Sequence, residues 1–269
     1  RISLFLNPYG NCLVMLCEDA ERKVTLDQLE MQLNSILAGK DDYAEYYSRP
    51  STIAYATSCR DITSRISQEY IALSAAAASK ELKRVQVATS ANIVIWSISD
   101  DGIVADRYNG ERWHSVSCGD WRVFMRSSLL QSLQTKRTER QPNETGGVLI
   151  GQYDFSRKII YLADMIFSPD DSIEAPTSYI RGCENLPEQI QQIAKRTYNS
   201  FSYVGEWHSH PGSCTEMGSA DERLLCTISE VNESHCLLGC MIICAGADNF
   251  SIYIRENSVT HSAMFKYNS

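Results

Sequence analysis

The stretch EWHSHPGSCTEMGSADE, residues 206–222, sets His208 and His210 two residues apart, follows them with Pro211 and delivers Asp221 eleven residues after the second histidine. Imidazole and carboxylate groups are ligands for divalent metals, and spacing decides whether they can share one ion. Side chains two apart on a strand share a face, with Cα atoms roughly 6.6 Å apart. Both rings can therefore converge on an ion about 2.0–2.1 Å from each. Pro211 ends the strand, and the Gly-containing loop to residue 218 can return Asp221, near the start of a helix, as a third, anionic ligand. Two histidines, one carboxylate and one open position make a catalytic zinc pattern rather than a closed structural one. Asp221 on its own also fits a partner for a helix dipole.

A zinc ion lowers the pKa of a coordinated water from about 15.7 to around 7, and attack on an amide further benefits from a general base within hydrogen-bond reach. Glu144 is the candidate base. It opens ETGGVLIG, where Gly146 and Gly147 permit close backbone approach, but spacing alone does not bring it beside residues some sixty positions away. Glu206 shares the histidine face and is its rival; a position roughly 6.6 Å back along the same strand suits a supporting or exposed role better. Cys214 lies in the loop and reads either as a resting-state zinc ligand or as an inert thiol.

Several elements are legible around these residues. KVTLDQLEMQLNSIL is a helix with Thr25 and Gln28 as a capping box, and SQEYIALSAAAASKELKR is a second, with Ile71, Ala75, Ala78 and Leu82 on the stripe expected to pack. STIAYATSCRD between them is strand-like. ANIVIWSISDDGIVADRY alternates around an Asp-Gly turn as a hairpin, expected to link two domains over residues 87–119. Beyond it, ETGGVLIGQYDFSRKIIYLADMIF gives two strands, LPEQIQQIAKRTY a helix with Pro187 in its first turn, and FSYVGEWHSH the histidine strand. Ser219 can cap the helix ADERLLCTIS through a box with Glu222. CLLGCMIICAGADNFSIYI closes the chain as two strands.

Glu144, the HSHP run and an aspartate ten residues after its proline resemble the JAMM signature of the MPN domain family, zinc-dependent isopeptidases that act on ubiquitin and its relatives. The resemblance covers residues 120–260 or so. It implies an α/β domain built on a curved mixed β-sheet flanked by helices, with Glu144 as general base and His208, His210 and Asp221 as zinc ligands. It also implies a serine that orients the tetrahedral intermediate. Here the sequence departs: the position seven after the proline is Gly218, and Ser219 follows one later. Ser219 reads equally as a cap alone or as a cap that is also the catalytic donor.

The amino-terminal run ATSCRDITSRISQEYIALSAAAASKELKR resembles the C-terminal part of ThiF-like, ubiquitin-activating adenylation domains, in which a cysteine-bearing loop precedes a small-residue helix. That resemblance covers residues 1–86, a smaller α/β segment ahead of a peptidase domain at 120–269, and implies Cys59 as a thioester cysteine. A buried structural thiol is the other reading of Cys59. No GxGxxG loop and no CxxC pair occur, so the chain alone is not expected to bind ATP. Fusions of such an adenylation domain to a JAMM peptidase occur in bacterial ubiquitin-like conjugation systems, and the chain resembles the carboxyl half of one. The partners implied are a ubiquitin-like protein or its conjugate and a conjugating enzyme.

Composition sets the outer bounds. At 269 residues and 43% hydrophobic content the chain has enough apolar side chain for a sizeable core. A net charge of −8, with no basic cluster beyond KRTER, argues against nucleic acid or anionic lipid as the main partner. No apolar run reaches eighteen residues, and no signal-peptide pattern follows Arg1. Ten scattered cysteines suit thiols in a reducing cytoplasm. Because the chain opens without methionine, in what reads as mid-strand, it is expected to be part of something longer. The function expected is zinc-dependent cleavage after the C-terminal glycine of a ubiquitin-like protein. The readings held against it are a catalytically silent MPN scaffold and an accessory half of an adenylating enzyme. The polar connection SPDDSIEAPTSYIRG, residues 168–182, is expected to flank the zinc cleft without secondary structure of its own, with Thr177, Ser178 and Tyr179 offering hydrogen bonds to an extended substrate tail.

Overall fold

A computed structural model describes residues 1–47, 54–55, 62–63, 66–85, 89–233 and 237–267. Cys59 lies outside the described residues. The chain divides into two units, Arg1–Arg112 with Lys195–Tyr198, and Trp113–Ala194 with Asn199–Ser269.

In the first unit the elements run β1 (Ile2–Leu6), β2 (Cys12–Cys17), α1 (Leu26–Gly39), β3 (Ala54–Tyr55), β4 (Ile62–Thr63), α2 (Gln68–Val85), β5 (Asn92–Ser99) and β6 (Gly102–Asn109). Four strands form an antiparallel sheet in the order β1-β2-β5-β6. Every residue of β2 is buried because helices cover both faces, which is why CLVMLC is apolar without alternation. Val14 and Leu16 pack with Leu29, Leu33 and Leu37 of α1, whereas Leu13, Met15 and Cys17 pack with Ala78 and Val85 of α2. The start of α1 is as the capping pattern predicts, with the Thr25 N–H donating to Gln28 Oε1 at 3.1 Å.

Two expectations fail in this unit. The face α2 buries carries Ser74, Ala78, Glu81 and Val85, while Ile71 and Leu82 are exposed. The helix is turned from the predicted stripe because Glu81 is drawn in by Arg107 at 2.7 Å and small residues meet the sheet beside it. The hairpin of β5 and β6 also does not serve as a linker. β5 pairs along its length with β2, some eighty residues earlier, and fills the middle of the sheet.

The second unit runs β7 (Trp113–Cys118), β8 (Trp121–Arg126), α3 (Ser127–Arg140), β9 (Gly146–Asp154), β10 (Ile159–Phe167), β11 (Ile173–Ala175), β12 (Ser178–Ile180), α4 (Leu186–Arg196), β13 (Ser202–Ser209), α5 (Ser219–Glu233), β14 (Gly239–Ala245), β15 (Asn249–Glu256) and β16 (Val259–Lys266). Eight strands form one mixed sheet, β16-β15-β14-β13-β9-β10-β8-β7, parallel at β8/β10 and β13/β14 and antiparallel elsewhere. Register shifts at Leu162/Asp164 and Tyr203/Gly205 bend it. It curls until its first and last strands meet: the His114 ring stacks on Phe265 at 4.7 Å, and Cys118 Sγ reaches Ile252 O at 3.8 Å. On one face α3 places Leu129, Leu130 and Leu133 against Leu149, Leu162 and Ile242; on the other α5 places Leu225 and Ile228 against Met241 and Ile243. This is the curved mixed sheet flanked by helices that the sequence predicts.

The chain closes with three strands rather than two, because β16 alternates exposed and half-buried residues and carries only a weak apolar signal. The 168–182 connection does have secondary structure, the two-stranded hairpin of β11 and β12. Among the described residues no helix is long and apolar enough to cross a membrane.

Candidate metal centre

The site lies where β13 leaves the sheet. β13 is buried from Val204 to Ser209, held between β9 on one side and β14 on the other. His208 stands opposite Gly146 of β9 and Ile243 of β14. No side chain fits at 146: an added Cβ would lie 2.4 Å from Trp207 O and from the Tyr179 ring. Gly147 adopts φ +156° and passes closer still, its missing Cβ falling 2.2 Å from Ile166 O. These glycines let β9 press against the histidine strand, as the sequence suggested.

One step beyond Gly146, the fully buried Thr145 and Ser209 lock the two strands together. The Ser209 N–H donates to Thr145 O at 2.7 Å, and the Thr145 N–H donates to Ser209 Oγ at 3.1 Å. The next residue outward is Glu144, whose N–H is held by Ala175 O of β11 at 2.9 Å. Glu144 is thereby brought beside the histidines, the step that spacing alone could not make. Burial raises its carboxyl above the usual carboxylate range, the imidazoles of His210 and His208 pull it back, and Asp221 pushes it up again. Tyr179 lies over Gly146 with its hydroxyl on Ser168 Oγ at 3.2 Å, so the hairpin flanks the Glu144 side of the site.

Asp221 enters from the first turn of α5. Its Oδ1 is 3.3 Å from His208 Nε2 and its Oδ2 is 3.7 Å from His210 Nε2. The ligand atoms of His208, His210 and Asp221 all lie within 4.8 Å of one another, and among the described residues they form the one such His/Cys/Asp/Glu group. Donors around a tetrahedral ion at 2.0–2.1 Å sit about 3.4 Å apart, so the set fits a transition metal. The protonation pattern fits as well. His210 Nδ1 lies 2.9 Å from Cys214 O, which can only accept, so Nδ1 carries a proton and Nε2, turned to Asp221, is the nitrogen left to ligate a metal when the ring is neutral. His208 Nε2 is buried, and its contact with Asp221 Oδ1 at 3.3 Å lacks hydrogen-bond geometry, an arrangement that suits two ligands of one metal better than a donor and its acceptor. Burial alone would raise the Asp221 carboxyl, but the two imidazoles and the Gly218 N–H hold it well below the usual carboxylate range. Asp221 in turn raises the His210 imidazole.

One further residue falls differently from expectation. Ser219 does not cap α5. Gly218 O accepts the Glu222 N–H at 3.0 Å and the Gly218 N–H donates to Asp221 Oδ2 at 2.8 Å, so the box is Gly218/Asp221, one residue earlier. Asp221 thus spends one oxygen on its own helix, which fixes the carboxylate, while Ser219 is exposed on the first turn. Glu206, the rival base, is 5% exposed and ion-paired with Arg181 at 2.9 Å, so its carboxylate is already taken. Cys214 is exposed, outside the ligand group, and its Sγ lies 3.5 Å from the Glu216 N–H.

Sequence reading missed Arg181, Thr145, Ser209 and Arg137. Arg137 had a signal: Leu130, Leu133 and Arg137 share one helical stripe of α3, so its position called for burial although KRTER read as a surface charge run.

Residues 126–253 match the family model of prokaryotic homologs of the JAB domain. The CD-NTase/cGAS isopeptidase of Enterobacter hormaechei subsp. hoffmannii is 30% identical over 126 residues, covering 47% of this chain and 68% of that protein. A probable metalloprotease of Sinorhizobium fredii is 22% identical over 144 residues, 53% of this chain and 87% of that one. A solution structure from Desulfitobacterium hafniense overlays with a TM-score of 0.37 at 15% identity, over 53% of this chain and 88% of its own. With its matched region carrying both the histidine strand and the acidic helix, this chain belongs to the family of prokaryotic homologs of the JAB domain.

Proposed function

We propose that this protein is a zinc-dependent isopeptidase that cleaves after the C-terminal glycine of a ubiquitin-like protein, releasing a conjugated target or trimming a precursor. The observation that carries the reading is the convergence of the ligand atoms of His208, His210 and Asp221 to within 4.8 Å of one another, with Glu144 alongside and no fourth protein ligand among the described residues. The relatives named isopeptidase and metalloprotease support it. His208 Nε2, His210 Nε2 and Asp221 would hold the ion, which when bound supplies Lewis-acid activation of water and of the scissile carbonyl. Glu144 takes a proton from the attacking water and returns it to the leaving amine. Its raised carboxyl suits that two-way transfer better than an ordinary glutamate would. Ser219, released from capping by Gly218, is the proposed hydroxyl donor to the developing oxyanion. The β11/β12 hairpin, tied to Glu144 through Ala175 O, is the proposed guide for the substrate tail, with Thr177 and Ser178 exposed on it.

Residues 1–86 enter the proposal as the C-terminal part of a ThiF-like adenylation domain, with Cys59 as its thioester cysteine. Trapping a ubiquitin-like protein as an ester on Cys59→Ser, in the presence of the complete activating enzyme, tests that assignment; no adduct would remove Cys59 from it.

One observation favours a second reading. Gly218 occupies the position where active relatives of the JAMM type carry serine, as a catalytically silent scaffold would allow. Incubating the full chain with a ubiquitin-like protein fused or conjugated through its C-terminal glycine separates the two. Cleavage that Glu144→Gln abolishes supports the enzyme, and no cleavage by a zinc-loaded wild type supports the scaffold.

A further inference from the structure

The strand that carries the histidines ends abruptly. Pairing of β13 with β14 stops at Ser209 opposite Cys244, the His210 N–H still reaches Cys244 O at 2.8 Å, and Pro211 has no N–H with which to continue. The carbonyls of His210, Pro211 and Gly212 therefore leave the sheet in succession, and carbonyls turned inward need donors. All three are met by one side chain. Arg137, on the last turn of α3 and 7% exposed, donates from Nε to His210 O at 2.9 Å and from Nη2 to Pro211 O and to Gly212 O, the latter at 3.3 Å. Gly212 O also receives the Gly246 N–H at 2.7 Å.

We propose, resting on the metal-centre reading above, that Arg137 is a positioning residue for the metal centre: its guanidinium fixes the turn at residues 210–212 and, through it, the direction of the His210 imidazole. The link from turn to ring is short. The same turn leads to Cys214, whose carbonyl takes the Nδ1 proton of His210 and leaves Nε2 toward Asp221. If the turn shifts, both the backbone that carries the ring and the carbonyl that selects its tautomer shift with it. A planar fork of donors suits three successive carbonyls; a lysine ammonium is a single point and cannot span them. The role is distinct from general stability because α3 offers a control. Gln134, one turn earlier on the same helix, donates from Nε2 to Ala245 O at 2.9 Å and so anchors α3 to β14 without touching the turn.

The test measures zinc affinity of the full chain by competition with a chromophoric chelator at pH 7, alongside thermal unfolding. Arg137→Met is expected to weaken zinc about 10- to 100-fold, the range typical for groups that orient metal ligands, and Arg137→Lys about tenfold with more of the fold retained. Gln134→Leu is expected to lower the unfolding temperature and leave zinc affinity within about twofold. Folded Arg137→Lys and Arg137→Met proteins that bind zinc as tightly as the wild type would overturn the role of Arg137 and leave the metal centre standing. Equal weakening in Gln134→Leu would reduce Arg137 to a stability contact and overturn it too. A wild type that binds no zinc would overturn both this inference and the reading it rests on.

Discussion

The two units share one way of burying carboxylates and differ at one strand end. In the first, each buried carboxylate is closed off locally. Glu18 accepts Arg22 Nε at 2.8 Å and the Leu26 N–H at 3.0 Å, and Glu81 takes Arg107 at 2.7 Å. In the second, Glu206 is closed in the same manner by Arg181, yet two residues along the same strand the buried His208 Nε2 has only Asp221 Oδ1 beside it, at 3.3 Å and without the geometry of a hydrogen bond. Other buried polar atoms also lack a hydrogen bond, Trp113 Nε1 and Trp207 Nε1 among them; what sets His208 Nε2 apart is that the ligand atoms of His210 and Asp221 lie within 4.8 Å of it. The contrast separates carboxylates that hold a fold from a His/His/Asp group that could hold a metal, and that group lies at the end of β13.

The comparison breaks most sharply at Glu144. Glu144→Gln keeps the shape and removes only the proton acceptor, so kcat for a ubiquitin-like conjugate is expected to fall by about 10²–10⁴ with zinc still bound. Full activity in that variant would return the base assignment to an unidentified group. Next in size is the substrate itself. Replacing the penultimate glycine of its tail by leucine is expected to cost about 10² in kcat/KM, the scale of a misplaced scissile bond, and shortening the β11/β12 hairpin is expected to raise KM with zinc retained. Unchanged KM and acceptance of the leucine tail would remove the hairpin from substrate binding.

Ser219→Ala is a smaller test, expected to lower kcat by about 10- to 100-fold through loss of one oxyanion donor. An added Cβ at Gly218 would meet only Asp221 Oδ2, at 3.5 Å, so Gly218→Ser is tolerated and is expected to restore part of the loss in the double variant. No loss in Ser219→Ala would show that this hydroxyl takes no part.

The smallest effect on cleavage is expected where a charge is already closed. Glu18 is raised by burial but brought below the ordinary carboxylate range by the Leu26 N–H and Arg22. Its folded pKa is thus depressed, and its contribution to stability is present above the unfolded value near ~4.3 and lost as pH falls through the folded one. Glu18→Gln is expected to destabilise by about 1–3 kcal/mol at neutral pH, to flatten the loss of stability below pH ~4, and to leave cleavage unchanged. An unaltered acid limb in urea unfolding would contradict this account of the pair.

Much of the site was legible because its chemistry is written in residue type and short spacing. His208, His210 and Asp221 lie within one strand, one loop and one helix turn, and the structure brings them together with Glu144. What stayed hidden depends on pairings across long stretches of chain. Thr145 meets Ser209, and Arg137 meets the 210–212 turn, across sixty to seventy-five residues, and nothing local records either contact. The same holds for the fold. The β5/β6 hairpin is plain from its Asp-Gly turn, but its place in the sheet is set by pairing with distant β2. The cap of α5 slipped by one residue because glycine can hold the cap position when the carboxylate three residues later supplies the hydrogen bond.

The claim that the end of β13 is a metal centre is tested most directly by the zinc content of the full chain, measured by mass spectrometry after incubation with zinc and desalting, for the wild type and for His208→Ala. The account predicts one zinc per wild-type chain and none in the folded variant. A folded wild type that emerges free of zinc, or a variant that retains it in full, would contradict it.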